Sequence, residues 1–312
     1  MSPRVLVTCR QMQSCIDAFR DRLEQAGLEL VLPPVVQQLS EDELIAIIGD
    51  YDGMIAGDDP LSDRVLAHAS RLRIISKWGV GVDGIDLEAA KRRGIAVTKT
   101  PGVFGEEVAD VGIGYVIMLA RQLHRIHDSV AAGGWWKHEG RTLSGATLGV
   151  VGFGSIGQAL ARRASAFGMK VVAHDPAPAV LEVADAMGVP LADVDDLFRA
   201  SDYVVLCCPL TAGNRQMVNA SRLALMPAGG CLVNVARGPL VDEPALVQAL
   251  ETGQLYAAAL DVFEEEPLAA DHPLRGFPQC VFGSHNGSNT REGVLSASAK
   301  AVDNLLAGLD LA

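Results

Sequence analysis

The sequence predicts an α/β protein built on two doubly wound parallel sheets, and three observations carry that expectation. Short β-branched apolar runs alternate with helical patterns from end to end, the rhythm of parallel strands joined by helical crossovers. One of those runs, Thr147 to Val151, passes directly into Gly152-x-Gly154-x-x-Gly157 and then into a small-residue helical pattern, Gln158 to Phe167. Another, Lys170 to His174, follows Gly168-Met169 and closes on an acid, Asp175.

Strand, glycine turn, helix, strand and acid in that order form the dinucleotide-binding fingerprint of a Rossmann-type sheet. Gly152 permits the tight turn, Gly154 carries no side chain to hold the backbone away from a pyrophosphate, and Gly157 lets helix and strand pack closely. The helix N-terminus offers free N–H groups and partial positive charge to phosphates. Asp175 stands 18 residues past Gly157, where a carboxylate accepts both ribose hydroxyls and repels a 2′-phosphate. Pro176, Ala177 and Pro178 follow with no cation for such a phosphate, so NAD is expected over NADP.

At 312 residues the chain is long enough for two domains with full cores. Apolar content of 49% with 21% charged residues describes a globular protein rather than a disordered one. The net charge of -12 argues against nucleic-acid binding, and it means that an anionic substrate must be drawn in by local cations. No apolar run reaches transmembrane length and the N-terminus lacks a secretory apolar core. Six cysteines without C-x-x-C spacing read as reduced thiols, so a cytoplasmic protein without a structural metal is expected.

In chain order, strands are expected at 4–8, 28–32, 53–56, 72–76 and 95–98. Helices are expected between them at 12–26, 41–48, 62–69 and 87–93. Ser40-x-x-Glu43 has the form of a capping box. Thr100-Pro101-Gly102 breaks the rhythm and marks a boundary. A single long helix, 106–125, is apolar almost all round and is expected to be buried on several sides, between domains or subunits. Trp135-Trp136 after it suits either an interface anchor or packing against that helix. Beyond the fingerprint, strands are expected at 203–208, 231–235, 256–262 and 280–282, with helices at 194–200, 221–225 and 243–251. A last helix, 291–309, is expected to return to the first domain. The plan is a discontinuous, flavodoxin-like substrate (lid) domain, 1–99 with 288–312, and a Rossmann NAD domain, 100–287.

In an open α/β sheet, ligands bind outside the carboxyl ends of the strands. Arg237 ends one strand at a glycine turn, the acids 264–266 follow another, and His285 follows the last. An Arg at a strand end is usually a surface charge, and a lone His is usually structural. Together beside a nicotinamide, they match the needs of 2-keto acid reduction. A guanidinium grips the substrate carboxylate bidentately, and an imidazole gives a proton to the developing alkoxide. A carboxylate beside the imidazole stabilises the imidazolium.

These motifs, in this order, resemble the D-isomer-specific 2-hydroxyacid dehydrogenases over nearly the whole chain. The resemblance is carried by Trp78-Gly79-Val80-Gly81-Val82-Asp83-Gly84-Ile85-Asp86, Glu107-Val108-Ala109-Asp110 and Gly152 to Gly157. It continues through Asn234-Val235-Ala236-Arg237-Gly238, Asp261 to Pro267 and His285-x-Gly287-Ser288. It implies Arg237 as the substrate-binding arginine, Glu266 as the carboxylate partner and His285 as the acid/base. It further implies that the Val80-Gly81 backbone receives the substrate carboxylate. Ser155, Ile156, Asp175, Cys208, Val235, Ala236, Asp261, Gly287 and Ser288 fall along the NAD site. A homodimer through the nucleotide domain, with 106–125 as its helix, is implied too.

Within that family the sequence most resembles the D-3-phosphoglycerate dehydrogenase branch, in a short form. It departs at the end of the third strand, where that branch carries a phosphate-binding Arg and this chain has Gly57-Asp58-Asp59. Two carboxylates there oppose a phosphate, and Lys77 is the expected compensating cation. Asn286 replaces an aliphatic residue. The expected substrate is a 2-hydroxy or 2-keto acid, with phosphoglycerate and glycerate/hydroxypyruvate as candidates. The alternative is an NAD(H)-sensing regulator on the same fold, like the C-terminal-binding protein corepressors. The Glu of the triad and the short N-terminal segment count against a formate dehydrogenase.

Overall fold

The computed structural model describes residues 2–311. It divides into two compact units, Met1–Val103 with Asn289–Ala312, and Phe104–Ser288. In chain order the first unit begins β1 (Arg4–Val7), α1 (Arg10–Ser14), α2 (Asp17–Gln25), β2 (Glu29–Val31), α3 (Glu41–Ile47) and β3 (Gly53–Ala56). It continues α4 (Asp63–Leu66), β4 (Ile74–Lys77), α5 (Leu87–Arg92) and β5 (Ala96–Thr98). The second unit opens α6 (Gly105–Arg121), α7 (Leu123–Ala131), β6 (Thr147–Val151), α8 (Ser155–Ala166), β7 (Lys170–His174) and α9 (Leu181–Ala186). After these come α10 (Val194–Ala200), β8 (Tyr203–Leu206), α11 (Ala220–Leu223), β9 (Gly230–Asn234), α12 (Glu243–Glu251), β10 (Leu255–Leu260) and β11 (Val281–Phe282). The chain then ends in the first unit with α13 (Arg291–Gly308).

Both sheets are parallel throughout. The first has the order β2-β1-β3-β4-β5, the flavodoxin-like arrangement. The second runs β11-β10-β9-β8-β6-β7, and a parallel bridge from Ala173 to Leu191 extends it beyond β7. Every residue of the central strands β3, β4, β8 and β9 is buried, whereas the edge strands β2, β5 and β7 keep exposed positions. That contrast follows from covering both faces of a parallel sheet with helices, which only the middle strands fully receive.

The first core gathers Leu6, Leu44, Ile48, Met54, Leu61 and Ile75 with their neighbours. Against β3 and β4 lies α13, brought close by glycines on both sides. A Cβ on Gly53 would stand 2.8 Å from Leu305 Cδ1, and one on Gly308 would stand 2.1 Å from Ile74 Cδ1. Ser76 donates to the Ala301 carbonyl at 2.8 Å and Trp78 Nε1 to Ser298 Oγ at 3.0 Å, so the contact has polar register marks as well. The second core includes Leu197, Phe198, Leu206, Leu232, Leu246 and Leu260. Ser40 and Glu43 form the capping box that opens α3. Among the described residues no helix is long and apolar enough to cross a membrane.

Several elements depart from expectation. The helix expected over 12–26 is two, α1 and α2. Cys15 N–H bonds the Met12 carbonyl and Ile16 N–H the Gln13 carbonyl, i→i+3 bonds that tighten the chain at the break. The long helix expected to end at 125 instead breaks at Gln122 and resumes as α7 to Ala131. Gln122 is fully buried with φ +51°, and its amide donates to the Leu119 and Gln279 carbonyls, replacing main-chain bonds that the break removes. The helix expected at 62–69 is only Asp63–Leu66, capped by Ser62. Beyond the break, Trp135 is 78% exposed, while the Trp136 ring packs under Arg125 and beside His138.

Candidate active site

The glycine turn sits where strand order reverses, between β6 and β8. Gly152 has φ +95°, and a Cβ there would lie 2.6 Å from Cys208 N. Gly157 faces the same constraint from inside, since its Cβ would lie 2.1 Å from the Gly152 carbonyl oxygen. At Gly154, by contrast, a Cβ would meet nothing within 4 Å. That opening lies at the N-terminus of α8, which no side chain caps, and Ser155 and Ile156 form its first turn. An uncapped helix start behind a glycine with open space in front of it fits a dinucleotide pyrophosphate. Asp175 ends β7 beside this turn, with Oδ2 accepting Phe153 N–H at 2.7 Å and Oδ1 accepting Ala177 N–H at 2.9 Å. Its carboxylate is thereby locked in place at the carboxyl edge of the sheet. Cys208 follows β8, and burial pushes its thiol up to about 11, so it is neutral at physiological pH.

At the end of β10 one buried carboxylate organises the next loop. Asp261 accepts Tyr115 O–H at 3.1 Å and Asn286 N–H at 3.2 Å on Oδ1, and Gly287 N–H at 2.8 Å on Oδ2. Its main-chain oxygen accepts His285 N–H at 2.6 Å. Gly283 has no room for a side chain, since a Cβ would lie 2.1 Å from Asp261 Oδ1. Burial and the facing carboxylate both hold the Tyr115 phenol protonated well above its ordinary range. Asp261, expected along the cofactor site, accepts Tyr115, Asn286 and Gly287 and holds the His285 loop in place. Tyr115 was hidden in an apolar helix, and its one signal was a hydroxyl among aliphatic neighbours.

The three expected catalytic groups lie at the carboxyl ends of β9, β10 and β11, all in the second unit. Asn234 shapes the first turn by donating to the Arg237 carbonyl at 2.9 Å and accepting Ala236 N–H at 3.0 Å. Gly238 brings that turn onto the acidic one, because a Cβ there would fall 1.8 Å from the Phe263 carbonyl carbon. Glu266 then accepts Phe263 N–H on Oε1 at 3.0 Å and faces His285 Nδ1 with Oε2 at 2.8 Å. Where the carboxylate accepts, Nδ1 carries the hydrogen of the neutral ring, and Nε2 is its basic nitrogen. Val235 is buried, and Ala236 and Ser288 are half-buried beside these turns.

The expected substrate residues of the first unit follow β4. The Lys77 side chain is 7% exposed, and its Nζ donates to Asp58 Oδ1 at 3.1 Å and to the Trp78 carbonyl at 3.0 Å. Asp59 turns inward, 1% exposed, where it accepts Leu39 N–H at 3.1 Å, Gly57 N–H at 2.9 Å and the Thr8 hydroxyl. The two acids expected at 58–59 to oppose a phosphate are therefore one acid paired with Lys77 and one buried structural acid. Burial also holds the Asp59 carboxyl above its usual range. The next loop is pinned at Gly79, φ +122°, whose N–H donates to Thr100 Oγ1 at 2.9 Å, leaving Val80 41% exposed and Gly81 half-buried beside it.

A family model described as "D-isomer specific 2-hydroxyacid dehydrogenase, NAD binding domain" matches residues 113–287. The chain is 36% identical to hydroxypyruvate reductase from Thermotoga maritima, over 88% of this chain and 90% of the relative. It is 38% identical to D-3-phosphoglycerate dehydrogenase from Methanocaldococcus jannaschii, over 87% of this chain but 52% of that longer relative. Its fold matches the structure of D-lactate dehydrogenase from Aquifex aeolicus complexed with NAD and lactic acid. The TM-score is 0.86 at 28% identity, with 98% of this chain and 95% of that one covered. Sequence, fold and the glycine turn agree: the chain belongs to the D-isomer-specific 2-hydroxyacid dehydrogenases, and it is a nicotinamide-dependent oxidoreductase of 2-hydroxy and 2-keto acids.

Proposed function

We propose that this dehydrogenase reduces a small unphosphorylated 2-keto acid of the glyoxylate or hydroxypyruvate class, using NADH. The observation that carries the substrate class is the Lys77–Asp58 pair. A phosphorylated substrate needs a cation that is free to meet it, and a nearly buried ammonium already neutralised at 3.1 Å is not one. The similarity to hydroxypyruvate reductase over nine-tenths of that relative supports the same class. NAD rather than NADP follows from Asp175, whose fixed carboxylate repels a 2′-phosphate.

A nicotinamide dinucleotide, its pyrophosphate held by the glycine turn 152–157, would supply or accept the hydride. Arg237 holds the substrate carboxylate, and the Val80-Gly81 backbone is the substrate-binding segment proposed for the first unit, the substrate domain. His285 Nε2 delivers the proton to the carbonyl oxygen as it gains charge, while Glu266 fixes the ring through Nδ1 and stabilises its protonated form. Working in reverse, the neutral imidazole takes the hydroxyl proton. Ser155, Ile156, Cys208, Val235, Ala236, Gly287 and Ser288 serve as walls of the cofactor site. We further infer a homodimer formed through α6, α7 and the Trp135 loop, supported by the exposure of Trp135, Leu123 and Val130. A cytoplasmic location agrees with the free cysteines.

Initial rates with NADH and a panel of glyoxylate, hydroxypyruvate, pyruvate and 3-phosphohydroxypyruvate test the substrate class. The expected outcome is kcat/KM at least about tenfold higher for glyoxylate or hydroxypyruvate than for the phosphorylated acid, the equivalent of one lost charge contact. A preference for the phosphorylated acid would refute the reading of Lys77.

A further inference from the structure

The second unit contains another carboxylate–imidazole pair, Glu243 with His272, that the proposed reaction does not use. Glu243 is the first residue of α12 and is only 6% exposed. Its Oε2 lies 3.1 Å from His272 Nε2, and its Oε1 accepts Glu264 N–H at 2.8 Å. His272 Nδ1 accepts Leu274 N–H at 3.3 Å, which leaves the ring hydrogen on Nε2 to be donated to Glu243. The backbone group that Glu243 grips is two residues from Glu266 in the same turn, and Glu266 grips its own turn through Phe263 N–H.

We propose that Glu243, oriented by His272, is a positioning residue that holds the turn 263–266 so that Glu266 meets His285 at hydrogen-bond distance. The physical case has three parts. A nearly buried carboxylate is expensive to keep, and plain packing of α12 against β10 would be served better by an aliphatic side chain. Here the cost is offset by two donors and by the helix N-terminus. Second, the turn needs an outside tether: Gly238 approaches Phe263 and Glu264 so closely that the acidic turn rests on the Arg237 turn, and Glu243 follows on the same segment. One stretch of chain, 237–243, thus sets both the substrate arginine and the acid partner of the proton donor. Third, the remaining reach of the turn is outward, where Glu264, 30% exposed, pairs with Arg215, 54% exposed, too open to hold a fixed position.

The proposal rests on the roles given above to Glu266 and His285. Reduction needs His285 protonated, so kcat/KM falls as pH rises through its pKa. A carboxylate beside the ring raises that pKa, and a loosened Glu266 lowers it, moving the alkaline limb to lower pH. The test compares wild type, Glu243→Gln, His272→Gln and Glu266→Gln, each as the full chain. NADH affinity is read by fluorescence, and kcat and KM for hydroxypyruvate are read from about pH 6 to 9. Glu243→Gln keeps the size and one acceptor oxygen but leaves one of two donors unmet. We expect it to lower kcat about tenfold, leave NADH affinity within about twofold, and move the alkaline limb down in pH. His272→Gln should move both in the same direction by less. An unmoved limb in Glu243→Gln while Glu266→Gln moves it would overturn the brace alone. NADH affinity and kcat falling in parallel would show a merely structural role and overturn it too. An unmoved limb in Glu266→Gln would overturn the reading of Glu266 itself, and the brace with it.

Discussion

His285 has φ +54°, a left-handed conformation that costs a non-glycine residue on the order of 1 kcal/mol, though His tolerates it better than most. Its N–H bond to the Asp261 carbonyl and the Asp261 side-chain bonds to the following residues over-determine that conformation. Strain held in this way, on the residue that faces Glu266, fits the preorganised proton donor proposed for His285. Asp175 is fixed by a comparable device on the cofactor side, and it carries a prediction. Replacing Asp175 by Ala removes the charge that opposes a 2′-phosphate, so the NADPH-to-NADH ratio of kcat/KM should rise about tenfold or more. Steady-state rates with both cofactors measure it, and an unchanged ratio would mean that Asp175 does not read the ribose. That Arg237, Glu266 and His285 follow strand ends was legible in the sequence, because each comes after an apolar run. Tyr115, Glu243 and His272 were not, since their partners lie far along the chain and nothing local marks a buried hydrogen bond. Asp59 was read beside Asp58 as opposing a phosphate for the same reason: only the structure shows Thr8 and Leu39 satisfying it in the interior.

Elements built on glycine contacts place these residues, and their tolerance is correspondingly low. A methyl group at Gly157 would stand 2.1 Å from the Gly152 carbonyl oxygen, a backbone atom that cannot step aside. Gly157→Ala should therefore cost about 1–3 kcal/mol of stability and weaken NADH binding more than substrate binding. Chemical denaturation and cofactor titration check both, and wild-type NADH affinity in the variant would contradict the close helix–strand packing. Most strands and helices were readable from apolar periodicity and punctuation, α3 with its capping box among them. The break at Gln122 was not, because the apolar pattern continues across it and only the buried amide, bonded to Leu119 and Gln279, explains why the chain turns. Likewise Cys15 interrupts an amphipathic pattern with i→i+3 bonds that composition does not reveal.

At the scale of the molecule, parallel sheets and the switch point between β6 and β8 follow from alternating strands and helices. The strand order of each sheet is a matter of tertiary packing, and the apolar runs do not state it. The proposed dimer belongs to this scale. Trp135→Ala should shift sedimentation toward the monomer at micromolar concentration; an unshifted dimer would place the interface elsewhere, and a monomeric wild type would remove the proposal. The reaction itself is tested most directly by His285→Ala, with NADH binding and hydroxypyruvate reduction measured on the same preparation. The expected result is NADH affinity within about twofold of wild type and turnover lower by about 10²- to 10⁴-fold. A variant that turns over at the wild-type rate, or a wild type that reduces no 2-keto acid at all, would contradict hydride transfer with His285 as the proton donor.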